Sequence, residues 1–544
     1  MPVFPERFSL ANYFLFDRLD EGLAEKEAVV FGGRSWTYQQ VADRSRRVAQ
    51  GLVALGVRPG QRVYIVLPDT PPFAWSIFGV LASGAVLCMG NPDAPVGDLA
   101  YVLNYVDAAA LITLPRVRDA LITTGATLPP TFLVPEVATG EDPEQELERP
   151  VEGWGPELMP MAQALGNVPD LPLPLLHRDD MAIWLFTSGS TGRSKAAMHT
   201  QRDFAFNTEV YAKGTIGYRR DDRTLSVPRL FFGYATGTNL FFPFAVGATT
   251  CLYAERPTPE VLVAAIERDR PTMITNVPTM LGKILDYDEA LRLRGAPGLD
   301  FSSVRFQLSA GEALPPALLQ RFLGRFGGEI YDGIGSAEMF HIYATNRPGD
   351  IKPGSLGRVV EGYALKILAE EAEGPGAPEL PRGETGVLWV RGDSVALGYH
   401  RDRDKSWATF HGRWCRTGDL FSLDEQGYLW FSGRADELLK VGGQWVAPLE
   451  VESCLMDHPY VAIAAVIGAS DSGLMKPKAF VVLRPEAWGY EEADVVLHLQ
   501  AHVQSSLSKH KYPRWIVIVD DLPRNDRGKV DRKLLRDLEA SRAS

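Results

Sequence analysis

Short, almost wholly apolar runs alternate with longer segments of helical period over roughly the first 430 residues of the chain. The runs RVYIVLP (62–68), AALIT (109–113), TFLVPE (131–136), MAIWLF (181–186), TMITNV (272–277), VRFQLS (304–309) and EIYDG (329–333) are too short for helices and rich in β-formers. Strands that are apolar on both faces and separated by helices predict βαβ units, and hence mostly parallel sheets covered on each side. In such sheets ligands collect beyond the carboxyl ends of the strands. GEDPEQELERP (140–150) and EEAEGPGAPELPRGE (370–384) read as exposed loops, and no repeat of fixed period stands out. Beyond about residue 434 the pattern changes. Pro448 opens a helix, VAIAAVIG (461–468) and AFVVL (479–483) read as strands, and a helical stretch covers about 491–508. The expected architecture is α/β: a large N-terminal domain of βαβ-built, mostly parallel sheets over 1–434. A small, mobile α+β domain over 435–544, roughly 110 residues, completes it.

Composition narrows the classes of function. At 544 residues the chain is too long for one ordinary core, and 45% hydrophobic with 23% charged residues is a globular balance. A formal net charge of -12 leaves no broad basic face for a nucleic acid or an anionic membrane. Cys88, Cys251, Cys415 and Cys454 are far apart with no CxxC pair, which argues against zinc ribbons and disulfide frameworks and for a reducing compartment. The start MPVFPERFSL lacks the pattern of a secretory signal. Residues 70–92 carry no charge, yet Pro71, Pro72, Ser76, Ser83 and Gly84 interrupt them, so they read as a core helix (73–83) and a short strand (85–89). A cytoplasmic protein is expected.

Three apolar runs end in loops of unusual composition. After MAIWLF comes Thr187-Ser188-Gly189-Ser190-Thr191-Gly192-Arg193-Ser194-Lys195. Its glycines let backbone approach an anion, its hydroxyls and amides donate, and Lys195 adds a point charge. It reads as a phosphate-holding loop, though not a Walker A sequence. Ser309-Ala310-Gly311-Glu312-Ala313-Leu314 follows the second run, and Tyr331-Asp332-Gly333-Ile334-Gly335-Ser336-Ala337-Glu338 follows the third. Glu338 beside glycines suits an oxygen ligand of Mg²⁺, but a glutamate taken alone is far more often a solvated surface group. Asp419 in RTGDL can accept both hydroxyls of a ribose, and RNDRGK (524–529) by composition is only a basic loop.

Order and spacing give these fragments a common meaning. From SWTYQQVADRSRRVA to GKVDRKLL the chain resembles the adenylate-forming superfamily of acyl-CoA synthetases, peptide-synthetase adenylation domains and luciferases. TSGSTGRSK, YDGIGSAE, RTGDL, GRADELLKVGG and GKVDRKLL occur in that family's order. FFGYATGTNLFFPFAVGAT (231–249), NVPTML (276–281) and YDGIGSAEMFHIYATNRPGD (331–350) look most like benzoate-CoA ligases and related aryl-CoA ligases. The resemblance implies ATP, Mg²⁺ and coenzyme A as partners of an aromatic carboxylic acid. It places residues 187–195 on the β- and γ-phosphates; Gly311, Glu312, Ala313, Asp332 and Gly333 around adenine; Glu338 on Mg²⁺; Asp419 on the ribose; and Arg434 on ribose or phosphate. Asp436 matches the hinge, and Lys529 the lysine bridging the acid and the α-phosphate. Lys440, Gly442 and Gly443 fall on the coenzyme A side, the two glycines matching the loop that lines the pantetheine tunnel.

The acid pocket is expected between the 231–235 segment, the 307–310 strand end and the 333–341 loop. Gly233, Tyr234, Ala235, Ala310, Gly335 and His341 are its candidates. Gly233 and Ala235 should leave room for a ring; His341 reads either as a pocket residue or as a satisfied structural histidine. Four positions depart from the family pattern: Ser194 for proline, Gln201 for a second histidine, Ala337 for threonine and Cys415 for a large aromatic. Losing the threonine hydroxyl costs on the order of 1 kcal/mol, and none of the four removes a charge the chemistry needs. An adenylating enzyme that loads a carrier protein shares the first step and stays open at this stage. Missing GxSxG and HExxH motifs disfavour a serine or zinc hydrolase, and the joint presence of Lys195, Glu338, Asp419 and Lys529 disfavours a non-catalytic nucleotide sensor.

Overall fold

A computed structural model describes residues 1–141, 158–160, 171–188, 193–434, 437–441, 444–471, 474–523 and 530–543. Two large sheets organise the N-terminal part. The seven-stranded sheet runs Leu158–Pro160, Thr131–Leu133, Ala108–Thr113, Arg62–Val66, Val86–Met89, Met181–Ser188, Ser194–Thr200, parallel throughout except for the last pair. The nine-stranded sheet is parallel from Ile330–Gly335 through Phe306–Ala310, Met273–Asn276, Arg223–Ser226 and Thr249–Leu252 to Glu27–Phe31. Antiparallel strands close both its edges. The apolar runs read from the sequence are these strands, each within a few residues of its expected ends.

The uncharged segment near residue 70 is core. Helix Pro71–Ala82 begins on two prolines, whose fixed φ suits a first turn, and all twelve of its residues are buried. It packs against Arg62–Val66 and Val86–Met89 of one sheet and Glu27–Phe31 of the other. With sheet or helix on every side, no polar face is needed, which explains the missing charge. Among the described residues no helix is long and apolar enough to cross a membrane.

Residues 364–434 depart from the expected βαβ alternation. Ala364–Leu368, Gly386–Arg391, Phe410–His411, Trp414–Leu423 and Leu429–Arg434 form an antiparallel five-stranded sheet. Its closest strands are joined by tight turns such as the one at Asp424–Gly427, where Gly427 N donates to Asp424 O. Only one short helix, Arg403–Thr409, interrupts it. A hairpin needs two residues where a parallel crossover needs a dozen, so short connections force antiparallel pairing.

The small C-terminal domain has its own core. Val461–Asp471, Leu474–Leu483 and Trp515–Ile518 form a three-stranded sheet. Helices Pro448–Met456 and Glu492–Ser506 pack on it through Val451, Leu455, Val495, Leu499 and Val503. Beneath them Glu452, fully buried, takes two bonds from Arg532 (Nη2–Oε2 2.6 Å, Nε–Oε1 3.2 Å) and a third from Val466 N at 2.7 Å. Arg532 also lies 3.8 Å from Glu437.

Candidate active site

Met181–Ser188 and Ser194–Thr200 form a hairpin at the edge of the seven-stranded sheet, with Thr187 opposite Lys195. The tip residues Gly189, Ser190, Thr191 and Gly192 lie outside the described residues, as do Asp436, Gly442, Gly443 and Lys529. Lys195 leaves this strand half-buried, and its Nζ sits 4.0 Å from the centre of the Tyr399 ring. Burial lowers its pKa, while the nearby Glu338 carboxylate opposes that shift.

Glu338 stands on a single helical turn, Ala337–Met339, just past strand Ile330–Gly335. Three contacts fix that turn. Tyr399 donates its phenol hydrogen to Glu338 Oε1 at 2.6 Å. Ala396 N donates to the Glu338 carbonyl at 2.8 Å. His199 Nε2 donates to the Ala337 carbonyl at 2.6 Å, with Asp203 Oδ2 3.2 Å from the other ring nitrogen. Phe340, next in line, adopts φ 69°. That is an outlier for a bulky residue, held in place by packing on Phe204 and His199.

The third sheet brings an acid–base pair. Asp419 and Arg434 face each other across adjacent strands, with Arg434 Nε 3.6 Å from Asp419 Oδ1. Asp419 N donates to Thr417 Oγ1 at 3.2 Å, and Thr417 in turn donates to Leu388 O. Arg434 lies close enough to act on the charge of Lys195. Cys415 belongs to the same cluster. Burial first, then Glu338 and Asp419, push its thiol well above the ordinary range, so it stays protonated and inert. Three sheets thus converge on one cleft.

A flat wall lies beside it. Phe306–Ala310 and Ile330–Gly335 are parallel neighbours, pairing Ser309 with Asp332 and Ala310 with Gly333. Asp332 is buried, and that burial pushes its carboxyl up to about 8, so it carries a proton at neutral pH. Among the described residues its Oδ1 has no hydrogen-bond partner. Glu312 lies in the loop expected to frame a base. Its carboxylate takes Thr279 Oγ1 at 2.8 Å and Thr279 N at 3.2 Å, holding the first turn of helix Pro278–Leu293.

An aromatic cluster is built around His341. Its ring lies 5.3 Å from Tyr234, 5.4 Å from Tyr211 and 4.8 Å from Phe242, centre to centre. Nε2 donates to Tyr234 O at 3.0 Å, and burial pulls its pKa down to about 3, so the imidazole is neutral. Nδ1 is then an acceptor, without a partner among the described residues, and Tyr234 Oη likewise has none. A Cβ at Gly237 would lie 2.7 Å from His341 Cδ2, so glycine there is what admits the ring. A Cβ at Gly233 would meet Leu185 Cδ1 at 2.9 Å, so the bare backbone there also serves packing on the hairpin strand.

Lys195, Glu338, Asp419 and Arg434 are therefore gathered at one place, with Tyr234, Ala235, Ala310, Gly335 and His341 on neighbouring elements. Tyr399, His199 and Asp203 carry weight that sequence reasoning did not assign. Tyr399 meets Lys195 through a bridge between Ala197 and Tyr399, a contact between distant stretches that no local pattern announces.

The convergence has counterparts. The AMP-binding enzyme family matches residues 16–400, and the AMP-binding enzyme C-terminal domain matches residues 450–529. The chain belongs to the AMP-binding enzyme family. Within it, the chain is 36% identical over 540 residues to a benzoate–CoA ligase of Thauera aromatica, covering 98% of this chain and 96% of that one. Among solved structures it is similar to an anthranilate CoA ligase in complex with anthranoyl-AMP, with a TM-score of 0.88, 33% identity and 99% of each chain covered. A benzoate CoA ligase from Burkholderia xenovorans LB400 superposes with a TM-score of 0.84, 34% identity, and 97% and 100% coverage.

Proposed function

We propose that this chain is an ATP-dependent aryl-CoA ligase. It adenylates a benzoate-type acid, such as benzoate or anthranilate, and passes the acyl group to coenzyme A with release of AMP and pyrophosphate. The observation that carries the reading is the gathering of Lys195, Glu338, Asp419 and Arg434, with Tyr234, Tyr211 and Phe242 clustered around His341 three residues on from Glu338. One side meets a charged nucleotide, the other a flat ring.

A carboxylate is a poor acyl donor, so the first step makes it one. Its oxygen attacks the α-phosphorus of ATP, and pyrophosphate departs. Negative charge grows on the phosphate oxygens, and positioned cations and amides stabilise it. Lys195 and the 187–195 loop face the β- and γ-phosphates, Lys529 bridges the acid and the α-phosphate, Asp419 takes the ribose hydroxyls, and Arg434 steadies them. The backbone of 311–313 with Asp332 and Gly333 frames adenine. In the second step the thiol of coenzyme A attacks the acyl carbon and AMP leaves. Lys440, Gly442 and Gly443 lie on the side from which it enters. Residues 1–434 bind nucleotide and acid, and 435–544 turn about Asp436 between the two steps.

Mg²⁺ suits this cleft as a guest of the phosphates. Among the described residues no three His, Cys, Asp or Glu side chains cluster to hold a metal alone, and Glu338 offers one carboxylate. Bound there, it would neutralise triphosphate charge. The four cysteines are buried and unpaired, which supports a cytoplasmic setting.

The purified protein, given ATP, Mg²⁺, coenzyme A and a panel of benzoates and fatty acids, should form AMP and an aryl thioester. Release of pyrophosphate with thioester appearing only on a phosphopantetheinyl carrier would point to carrier loading. ADP formation would defeat both readings.

A further inference from the structure

Lys195 and Glu338 carry opposite charges and act on one another, yet no ion pair within 4.0 Å joins them among the described residues. Tyr399 is the group both of them touch. Its ring faces Lys195 Nζ at 4.0 Å, and its hydroxyl donates to Glu338 Oε1 at 2.6 Å. The ring itself cannot drift. Tyr399 N donates to Ser406 Oγ at 2.8 Å; its backbone bridges to Ala197; and its ring packs on Phe410 at 5.1 Å. Only 5% of the residue is exposed.

Left to themselves, an ammonium and a carboxylate this close in a half-buried cleft would collapse into a pair. The pair would neutralise the two charges that the nucleotide and its cation need. An aromatic face attracts a cation without neutralising it, and a phenol donates to a carboxylate while leaving its charge intact.

We propose that Tyr399 is a positioning residue that holds Lys195 and Glu338 apart, each charged and each aimed, so that one meets phosphate while the other meets the accompanying divalent cation. The proposal rests on the nucleotide reading above. Its two arms separate by substitution: Tyr399→Phe keeps the ring under Lys195 and removes the bond to Glu338, whereas Tyr399→Leu removes both.

The test is equilibrium binding of ATP to the full-length protein, measured with EDTA and with saturating Mn²⁺, alongside titration of free Mn²⁺ by its electron spin resonance signal. For wild type, Mn²⁺ should tighten ATP binding. In Tyr399→Phe, ATP binding in EDTA should stay within about twofold, while the gain from Mn²⁺ shrinks about tenfold, the scale of one hydrogen bond to a charged group. In Tyr399→Leu, ATP binding in EDTA should also weaken, by roughly three- to tenfold. A merely structural tyrosine would lower the melting temperature and weaken both measurements together. That outcome, or a full Mn²⁺ gain retained in Tyr399→Phe, overturns the proposal, and the near-isosteric Phe variant decides this even if the Leu variant does not fold. Wild type that binds no ATP under either condition would instead overturn the nucleotide reading itself.

Discussion

His199 Nε2 donates to the carbonyl oxygen of Ala337 across 2.6 Å and 138 positions of chain. The bond ties the seven-stranded sheet to the turn that presents Glu338, and Asp203 orients the ring that makes it. Removing the ring should leave a buried carbonyl unpaired and free the turn. His199→Ala is expected to lower the adenylation rate about ten- to a hundredfold, since a bond of this kind is worth roughly 1.5–3 kcal/mol. Pyrophosphate exchange measures this, and thioester formation from supplied acyl-adenylate should fall much less.

Asp332 predicts a pH dependence of stability with a definite sign. Its carboxyl titrates at about 8 in the folded chain against an ordinary value of 3.8. Between those values the unfolded chain has lost the proton and the folded chain keeps it, so folding takes up a proton. Stability from this group therefore falls as pH rises from about 4 to about 8, at up to about 1.4 kcal/mol per pH unit, and levels off above. Asp332→Asn should lack this slope. Urea midpoints at pH 5, 6, 7 and 8 should show the variant gaining steadily on wild type.

Gly237 sits against the ring of His341, a candidate acid-pocket residue. A methyl group there would overlap that ring at 2.7–2.8 Å and displace it. Gly237→Ala should raise KM for aryl acids at least about tenfold and leave KM for ATP within twofold; initial rates with each substrate varied in turn check this.

Lys529 should be needed in one half of the reaction only. Lys529→Ala is expected to abolish acid-dependent pyrophosphate exchange and to retain thioester formation from supplied acyl-adenylate. Equal loss in both halves would contradict a small domain that turns between steps.

In the small domain, Glu452 and Arg532 form a buried pair. Arg532→Met strands a charge in the core and should destabilise that domain by about 3–5 kcal/mol, whereas Glu452→Leu combined with Arg532→Met should restore most of it. Thermal melts of the three proteins decide it.

How much of this could be read beforehand follows from where the information lies. Strands buried on both faces draw most of their residues from the apolar and β-branched types, so Arg62–Val66, Phe306–Ala310 and Met273–Asn276 were plain in the sequence. So was the helix opening on Pro71. The loops at strand ends stood out because they gather glycines and hydroxyls in one short run directly after an apolar strand. Antiparallel pairing in 364–434 was not, since nothing in a strand such as Gly386–Arg391, buried at five of six positions, separates it from a parallel one. The bond of the Glu312 carboxylate to Thr279, a partner 33 positions earlier, could not be read either. Tyr399 was invisible for the same reason: its importance lies entirely in what the fold puts on either side of it.

The strand Glu27–Phe31 has a consequence for how the chain is made. It emerges early in synthesis, but its parallel neighbour is Thr249–Leu252, and Thr249 Oγ1 reaches Glu27 O across 222 positions. Until that later stretch leaves the ribosome, the strand has an open edge, and in the helix after Thr70 the Phe78 ring lacks its partners Phe241 and Phe244. A truncated product ending near residue 200 should therefore aggregate, and the nascent chain should depend on a holding chaperone for longer than its first domain-sized segment would suggest.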